Sequence, residues 1–213
     1  MRKYLSVVIL LIMAASTFSC ANPADDKPKA TVSTAAPESS TAKPAGTQKL
    51  VISPENSKVE FVGSKITKSH SGSFKQFAGT IDLVPNSIPD SRVTIDIETA
   101  SVVADDDQLA THLKTADFFD VAKFPKATFV STKIEPNTAG GATHTVTGNL
   151  ELHGVKKSIS FPAKIQVTPE NTTVAAEFAI NRKDFGIVYK GKADDLIRDE
   201  VVMKLDLKVP QKQ

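Results

Sequence analysis

Residues 156–167 read KKSISFPAKIQV, and alternate positions from Ile159 onward are apolar: Ile159, Phe161, Ala163, Ile165 and Val167. Side chains of a strand alternate between its two faces, so this pattern predicts a half-buried antiparallel strand. The same reading extends outward. Val93, Ile95 and Ile97 share one face of 92–103, against Arg92, Thr94, Asp96 and Glu98. Val174, Ala176, Phe178 and Ile180 share another, as do Val201, Met203, Leu205 and Leu207 near the C-terminus. Together with 58–66, 71–83, 126–135 and 142–152, about eight or nine strands are predicted. Turn residues separate them at Val84-Pro85-Asn86, Glu135-Pro136-Asn137, Gly140-Gly141, His153-Gly154 and Thr168-Pro169-Glu170-Asn171. The chain is therefore read as all-β, which leaves a sandwich or a barrel. Strands of about ten residues favour a single antiparallel barrel of eight or more strands, holding either packed side chains or one ligand.

One segment departs from this pattern. Residues 107–129, DQLATHLKTADFFDVAKFPKATF, begin with helical spacing: Leu109 and Leu113 lie four apart, with Ala116 three further on. Asp105, Asp106 and Asp107 supply carboxylates for the unsatisfied N–H groups of a helix start. A helix of roughly three turns with so narrow an apolar stripe has to lie on something apolar, such as an open barrel end. Phe118, Phe119 and Phe124 are expected to extend that cover before the strand carrying Phe129 begins. The segment is read as a lid or plug.

Both the first twenty residues and the next twenty-eight differ from this domain. Arg2 and Lys3 precede a run of roughly 14 apolar residues, shorter than the ~20 a spanning helix needs and laid out as a secretory signal. Thr17-Phe18-Ser19-Cys20 resembles a bacterial lipoprotein signal, in which Cys20 would be lipidated and would anchor the exported chain to a membrane of the cell envelope. Thr17 stands where that pattern prefers Leu, and ordinary secretion with cleavage near Ala21 is the alternative. No other cysteine follows, so the exported part has no disulfide. In 21–48, Ala, Pro, Ser and Thr make up 18 of 28 residues, with no aromatic and Val32 as the only large aliphatic. That composition buries too little to offset ordering entropy, so a flexible tether of about 30 Å is predicted. Residues 49–213 then suit one domain. Losing Arg2 and Lys3 cancels the formal charge of +2, and a neutral chain has no electrostatic case for nucleic acid or an anionic surface.

Signatures of catalysis are missing: no nucleophile elbow, Walker loop or dinucleotide fingerprint occurs. His70, His112, His144 and His153 show no zinc-like spacing, and 105–107 lacks the EF-hand pattern. No cofactor, metal or catalysis is therefore expected. His112 beside the Leu109/Leu113 stripe either bonds a ligand head group or is satisfied by a backbone carbonyl under the lid, the favoured reading. His144 shares a face with Val146, Leu150 and Leu152, while His70 and His153 are placed in exposed turns. In INRKDFGI, Arg182 either holds a phosphate or carboxylate at a barrel mouth or joins an Arg–Asp pair with Asp184 that closes a turn.

Four stretches resemble the periplasmic YceI-like, polyisoprenoid-binding family. They are SKVEFVGSK with GSFKQFAGTIDL, HLKTADFFDVAKFPKATFVST, VTGNLELHGVKKSISFPAKI, and FAINRKDFGI with DEVVMKLDLK, covering nearly all of 50–209. The resemblance implies an extended lipocalin-like barrel whose apolar tunnel holds a long isoprenoid or similar lipid, quinone-like molecules included. Its motif residues fall on His112, Leu113, Phe118, Phe119, Pro125, Phe129, Gly154, Arg182, Phe185 and Gly186. An anchor and tether depart from the family's common free form, which bears on location. Head groups vary across the family, so the resemblance does not fix the ligand.

The combined expectation is a non-catalytic lipid carrier or storage protein of the cell envelope. Its tunnel and lid are assigned to Phe61, Phe77, Ile81, Ile95, Ile97, Leu109, His112, Leu113, Phe118, Phe119, Phe129, Phe161, Ile165, Phe178, Arg182, Phe185 and Leu205. Two rivals stand beside it. One is a barrel filled by its own side chains, with a structural or stress-response role. The other is an enzyme acting on such a lipid through His112, Arg182 and Asp184. Pairing of two barrels as a homodimer is left open.

Overall fold

The computed structural model describes residues 21–38 and 46–211. The predicted signal, Cys20 and 39–45 of the predicted tether lie outside the described residues. The chain forms β1 (Thr31–Thr34), β2 (Gln48–Ile52), β3 (Ser57–Ser64), β4 (Ser69–Phe74), β5 (Phe77–Leu83), β6 (Arg92–Glu98) and β7 (Val102–Ala104). One short α-helix among the described residues, α1 (Asp107–Leu113), follows. Then come β8 (Lys126–Pro136), β9 (His144–Leu152), β10 (Val155–Val167), β11 (Asn171–Asn181), a 3-10 turn (Arg182–Phe185), β12 (Gly191–Lys192), β13 (Asp195–Leu196) and β14 (Glu200–Pro210).

Eleven strands make one antiparallel path, β2-β5-β6-β8-β9-β10-β11-β14-β3-β4-β7. The expected 71–83 strand is two strands, because the chain changes partners at Lys75 and Gln76. Here β4 pairs β3 and β7, whereas β5 pairs β2 and β6. Ser101 holds the bend: its carbonyl and hydroxyl oxygens accept the Lys75 and Gln76 N–H groups at 3.1 and 3.0 Å. β4 and β5 sit near opposite ends of the path, yet only two residues separate Phe74 from Phe77. Such a link spans at most about 11 Å, so the sheet has to curl. The result is an all-β half-barrel, and no described pairing joins β2 to β7.

The predicted inward faces are the observed ones. Ile159, Phe161, Ala163 and Ile165 of β10 are buried, as are Val174, Ala176, Phe178 and Ile180 of β11. Phe161 stacks on Phe178 at 4.1 Å between ring centroids, with Phe129 5.8 Å from Phe161. Each fully buried Phe contributes about 1.5–3 kcal/mol, and this stack fills one level of the barrel. The β9–β10 hairpin closes on His153 and Gly154, both with positive φ, as a two-residue turn with a primed twist requires.

The structure corrects the tether. Instead of being free, 22–36 lies against the barrel wall. β10 pairs β11 only from Lys164 to Val167. Toward its N-terminus the two strands part, and residues 28–34 fill the gap. β1 pairs with β10, setting Val32 opposite Ile159. On the other side, Ala30 donates its N–H to the Ala179 carbonyl, and Ala179 donates to Pro28, both at 2.8 Å. Pro162, which has no N–H to offer a ladder, lies where β10 changes from one partner to the other. Outside the barrel, Ala24 buries Ala179 and Val202. Composition misled because small residues gain their order from a preformed groove rather than from bulk of their own. Asn149 fastens the strap, accepting from the Ala36 N–H at 2.9 Å and donating to the Ala36 carbonyl at 2.7 Å.

Replacing Asn149 by Ala removes both bonds and orphans their partners, at a cost of about 1–3 kcal/mol. Urea denaturation should show that loss, and hydrogen exchange should show 30–36 deprotected while β3 and β14 stay protected. Unchanged protection of the strap would refute the fastening role.

Candidate functional site

Beside the Phe161–Phe178 stack, where Met203 pairs with both Phe178 and Phe61, lies a chamber of about 160 Å³ with nearly wholly apolar walls. Strand ends supply these walls: Phe61 and Gly63 from β3, Phe74 from β4, Ile97 from β6, Ala127 from β8, Leu150 and Leu152 from β9, Ile180 from β11, and Val201 and Met203 from β14. Ile187 and Ile197 complete them. Gly72 faces Phe61 across β3 and β4, and a methyl group there would run into the Phe61 ring. The glycine is what lets that ring lie flat along the wall.

The cover is α1 and the turns after it, from which Leu109, Leu113, Phe118 and Phe119 reach the chamber. The helix is seven residues, about two turns rather than three, and Ala116 lies beyond it, exposed. Asp106 caps its start, accepting from the Leu109 N–H at 2.9 Å. Aromatic rings link lid to wall: Phe119 meets Phe74 at 5.5 Å, and Phe74 meets Phe61 at 5.8 Å. On the outer side Phe118, His112 and Tyr189 form an edge-to-face triangle with centroids 5.0, 5.1 and 5.5 Å apart. Phe124 is not part of the cover. It packs on His153 at 4.8 Å and against Gly154, at the β9–β10 turn.

Two polar clamps fix the chamber's rim. Asp105 accepts from the Ser71 N–H at 3.0 Å and pairs with His70 Nδ1 at 2.8 Å, tying the lid's start to β4. Arg182 is buried, and its guanidinium donates to the carbonyls of Arg198 (3.1 Å), Ile187 (2.7 Å) and Ile197 (3.4 Å) and to Asp199 Oδ1 (3.4 Å). Burial pulls its pKa down and Asp199 pulls it up; an Arg stays charged throughout. Arg182 therefore closes a turn, with Asp199 as its acid rather than Asp184. Lys183 shares that carboxylate at 2.8 Å.

Of the residues assigned from sequence, Phe61, Ile97, Leu109, Leu113, Phe118, Phe119 and Arg182 meet at the chamber. Phe77, Ile81, Ile95, Phe161, Ile165, Phe178 and Phe185 are buried in the packed core, with Phe129 and Leu205 against it. His112 lies on the lid's outer side, and its Nε2 meets the Asp117 carboxylate at 2.7 Å instead of a backbone carbonyl. The lipid-enzyme constellation is thus dispersed. His70 is no exposed turn residue; it sits on β4 and lines the chamber. His153 is half-buried against Phe124. His144 is half-buried beside the Thr143 hydroxyl at 2.8 Å, and burial lowers its pKa. Sequence reading missed Phe74, Ser64, Ile187, Ile197 and Met203; for Met203, period two had given the face but not the level.

The YceI-like domain family model matches residues 50–209. A UPF0312 protein of Pseudomonas putida strain W619 is 36% identical over 122 residues, 54% of this chain and 62% of that protein. Protein YceI of Salmonella newport strain SL254 is 35% identical, with the same coverage. The chain thus spans 62% of the length of these curated relatives. BcnA of Burkholderia cenocepacia superposes with a TM-score of 0.66 at 27% identity, over 74% of this chain and 98% of that one. A polyisoprenoid binding domain from Saccharophagus degradans superposes with a TM-score of 0.60 over 77% and 98%; at 18% identity it bears on the fold alone.

The Asp105 clamp gives the lid a pH dependence. The Ser71 N–H, then His70, holds this carboxyl below its ordinary range. A depressed folded pKa contributes stability above the unfolded value of about 3.9, and loses it as pH falls through the folded pKa. Asp105→Asn should lower the urea midpoint at neutral pH and flatten its decline below about pH 4. The side chain is half-exposed, so the change is small. An acid limb identical to wild type would remove the clamp from the account.

Proposed function

We propose a function from one premise: this chain belongs to the YceI-like family. It binds a long-chain isoprenoid or similar amphiphilic lipid, and acts as a non-catalytic carrier or storage protein of the cell envelope. The observation that carries this reading is the lidded, apolar chamber. An apolar cavity gains by exchanging water for hydrocarbon, at about 25 cal/mol per Å² removed from water. At about 160 Å³ the chamber takes only a short stretch of hydrocarbon, so a longer chain passes the lid or displaces it. Phe118 and Phe119 hold their part of the lid by packing, while the Asp105 clamp ties its start to β4, so the far end is the part that gives way.

One observation favours the second reading, a filled barrel with a structural role: Phe129, Phe161 and Phe178 pack ring against ring inside the barrel. Native mass spectrometry with organic extraction of the purified protein separates the two. The carrier reading expects a co-purifying hydrophobic molecule of defined mass, with occupancy at least about tenfold lower in Phe119→Ser or Leu109→Gln. That loss corresponds to about 1.4 kcal/mol of binding energy. Protein that carries no lipid and also refuses polyprenyl lipids and isoprenoid quinones would leave the filled barrel standing.

Location follows from Cys20. We place the protein on a membrane through lipidation of that thiol, next to which the sequence has its small-residue cleavage region. Cys20→Ser should abolish incorporation of a labelled fatty acid and move the protein to the soluble fraction. A wild-type protein that takes up no label would favour plain secretion.

A further inference from the structure

Among the described residues, Ser64 ends β3 at 5% exposure, and its hydroxyl has no hydrogen-bond partner. It lines the chamber. On β3 it lies opposite Ser69, and its carbonyl accepts the Arg198 N–H at 2.8 Å. The hydroxyl is left over, and a buried hydroxyl without a partner costs about 1–3 kcal/mol. A chamber meant only for hydrocarbon would carry Ala or Val there.

The charges around it narrow what the hydroxyl is for. Lys65, His70, Arg182 and Arg198 are the charged or titratable groups of the lining, and no Asp or Glu is among them. Each is already engaged. Lys65 Nζ lies 3.1 Å from Asp195, and His70 lies 2.8 Å from Asp105. Arg182 has its three carbonyls and Asp199, and Arg198 has an interaction of its own, although its buried Nε–H makes no hydrogen bond. An anionic head group entering here would lose its water and find Lys65, His70 and Arg182 committed, with a single Arg198 N–H beside Ser64 to receive it, which burial makes costly. A neutral oxygen asks only for one hydrogen bond.

We infer that Ser64 is the head-group residue of the chamber, and that it takes the uncharged oxygen of a lipid, a carbonyl or a hydroxyl, in preference to a phosphate. The inference rests on the lipid-binding reading above. The oxygen of a carbonyl accepts from Ser64 Oγ–H, and a lipid hydroxyl either accepts from it or donates to it. Lys65 and His70 keep their own carboxylate partners, Asp195 and Asp105. Ser64 fixes which end of the lipid enters first, because the other end has no oxygen to satisfy it.

The test measures dissociation constants of the purified full-length protein for four probes: a polyprenol, its monophosphate, the matching hydrocarbon of equal chain length, and a prenylated quinone. Wild type should favour the polyprenol or the quinone over the hydrocarbon by about tenfold, the value of one net hydrogen bond. In Ser64→Ala that ratio should fall toward one, with a melting temperature equal to or above wild type because an orphaned hydroxyl has gone. A ratio unchanged in the variant overturns the assignment, and so does tighter binding of the monophosphate than of the polyprenol by wild type. In both cases the lipid-binding reading survives, since the hydrocarbon still binds. Failure of all four probes to bind wild type overturns both.

Discussion

Two residues, Lys75 and Gln76, join strands that stand near opposite ends of an eleven-stranded path. A sheet can remain open and flat when its end strands are far apart in the chain. Here the link allows no more than about 11 Å between Phe74 and Phe77, and the ladder curls until that distance is met. Ser101 secures the bend by accepting both N–H groups there. Phe74, placed at the chamber wall by this bend, touches Phe61 on one side and Phe119 of the lid on the other. The same covalent constraint that shapes the barrel therefore also seats its cover.

Within the curled sheet, packed rings and open chamber adjoin. Phe161 stacks on Phe178, with Phe129 tilted against it. Arg182, on the chamber wall and buried, holds its charge among three carbonyls and a carboxylate. A buried charge is tolerated only when its hydrogen bonds are met. This one also sets where Ile187 and Ile197 lie, since it grips the carbonyl of each, and both line the chamber. Filled core and apolar chamber are thus met side by side in one barrel, with Phe178 of the one paired to Met203 of the other.

Much of this was legible in the residues. Alternation such as Ile159, Phe161, Ala163 and Ile165 gave the fold class and the inward faces, because a strand's period of two follows from its pleat. Alternation gives no height along the barrel, however. Met203 and Leu205 share a face, yet Met203 lines the chamber and Leu205 packs on the core. Arg182 was seen at the mouth but paired with the wrong acid, since Asp199 reaches it from the residue before β14, the strand that pairs with β11. The strap was illegible in its own Ala- and Pro-rich composition. Its trace lay in its partners: Phe178-Ala179-Ile180 and Val201-Val202 are apolar on both faces, and a strand apolar on both faces needs a cover on its outer side.

The strap also has a history in time. Ala36 meets Asn149 across 113 positions of sequence, and β1 waits for β10. A chain emerging N-terminus first produces the strap long before the groove that receives it. Pairings between segments so distant close slowly. Until this one forms, the facing edges of β10 and β11 expose N–H and C=O groups that can template pairing with another chain. The seam between those strands is consequently among the later parts of the wall to be sealed, and the interval before its closure leaves the protein open to misassembly.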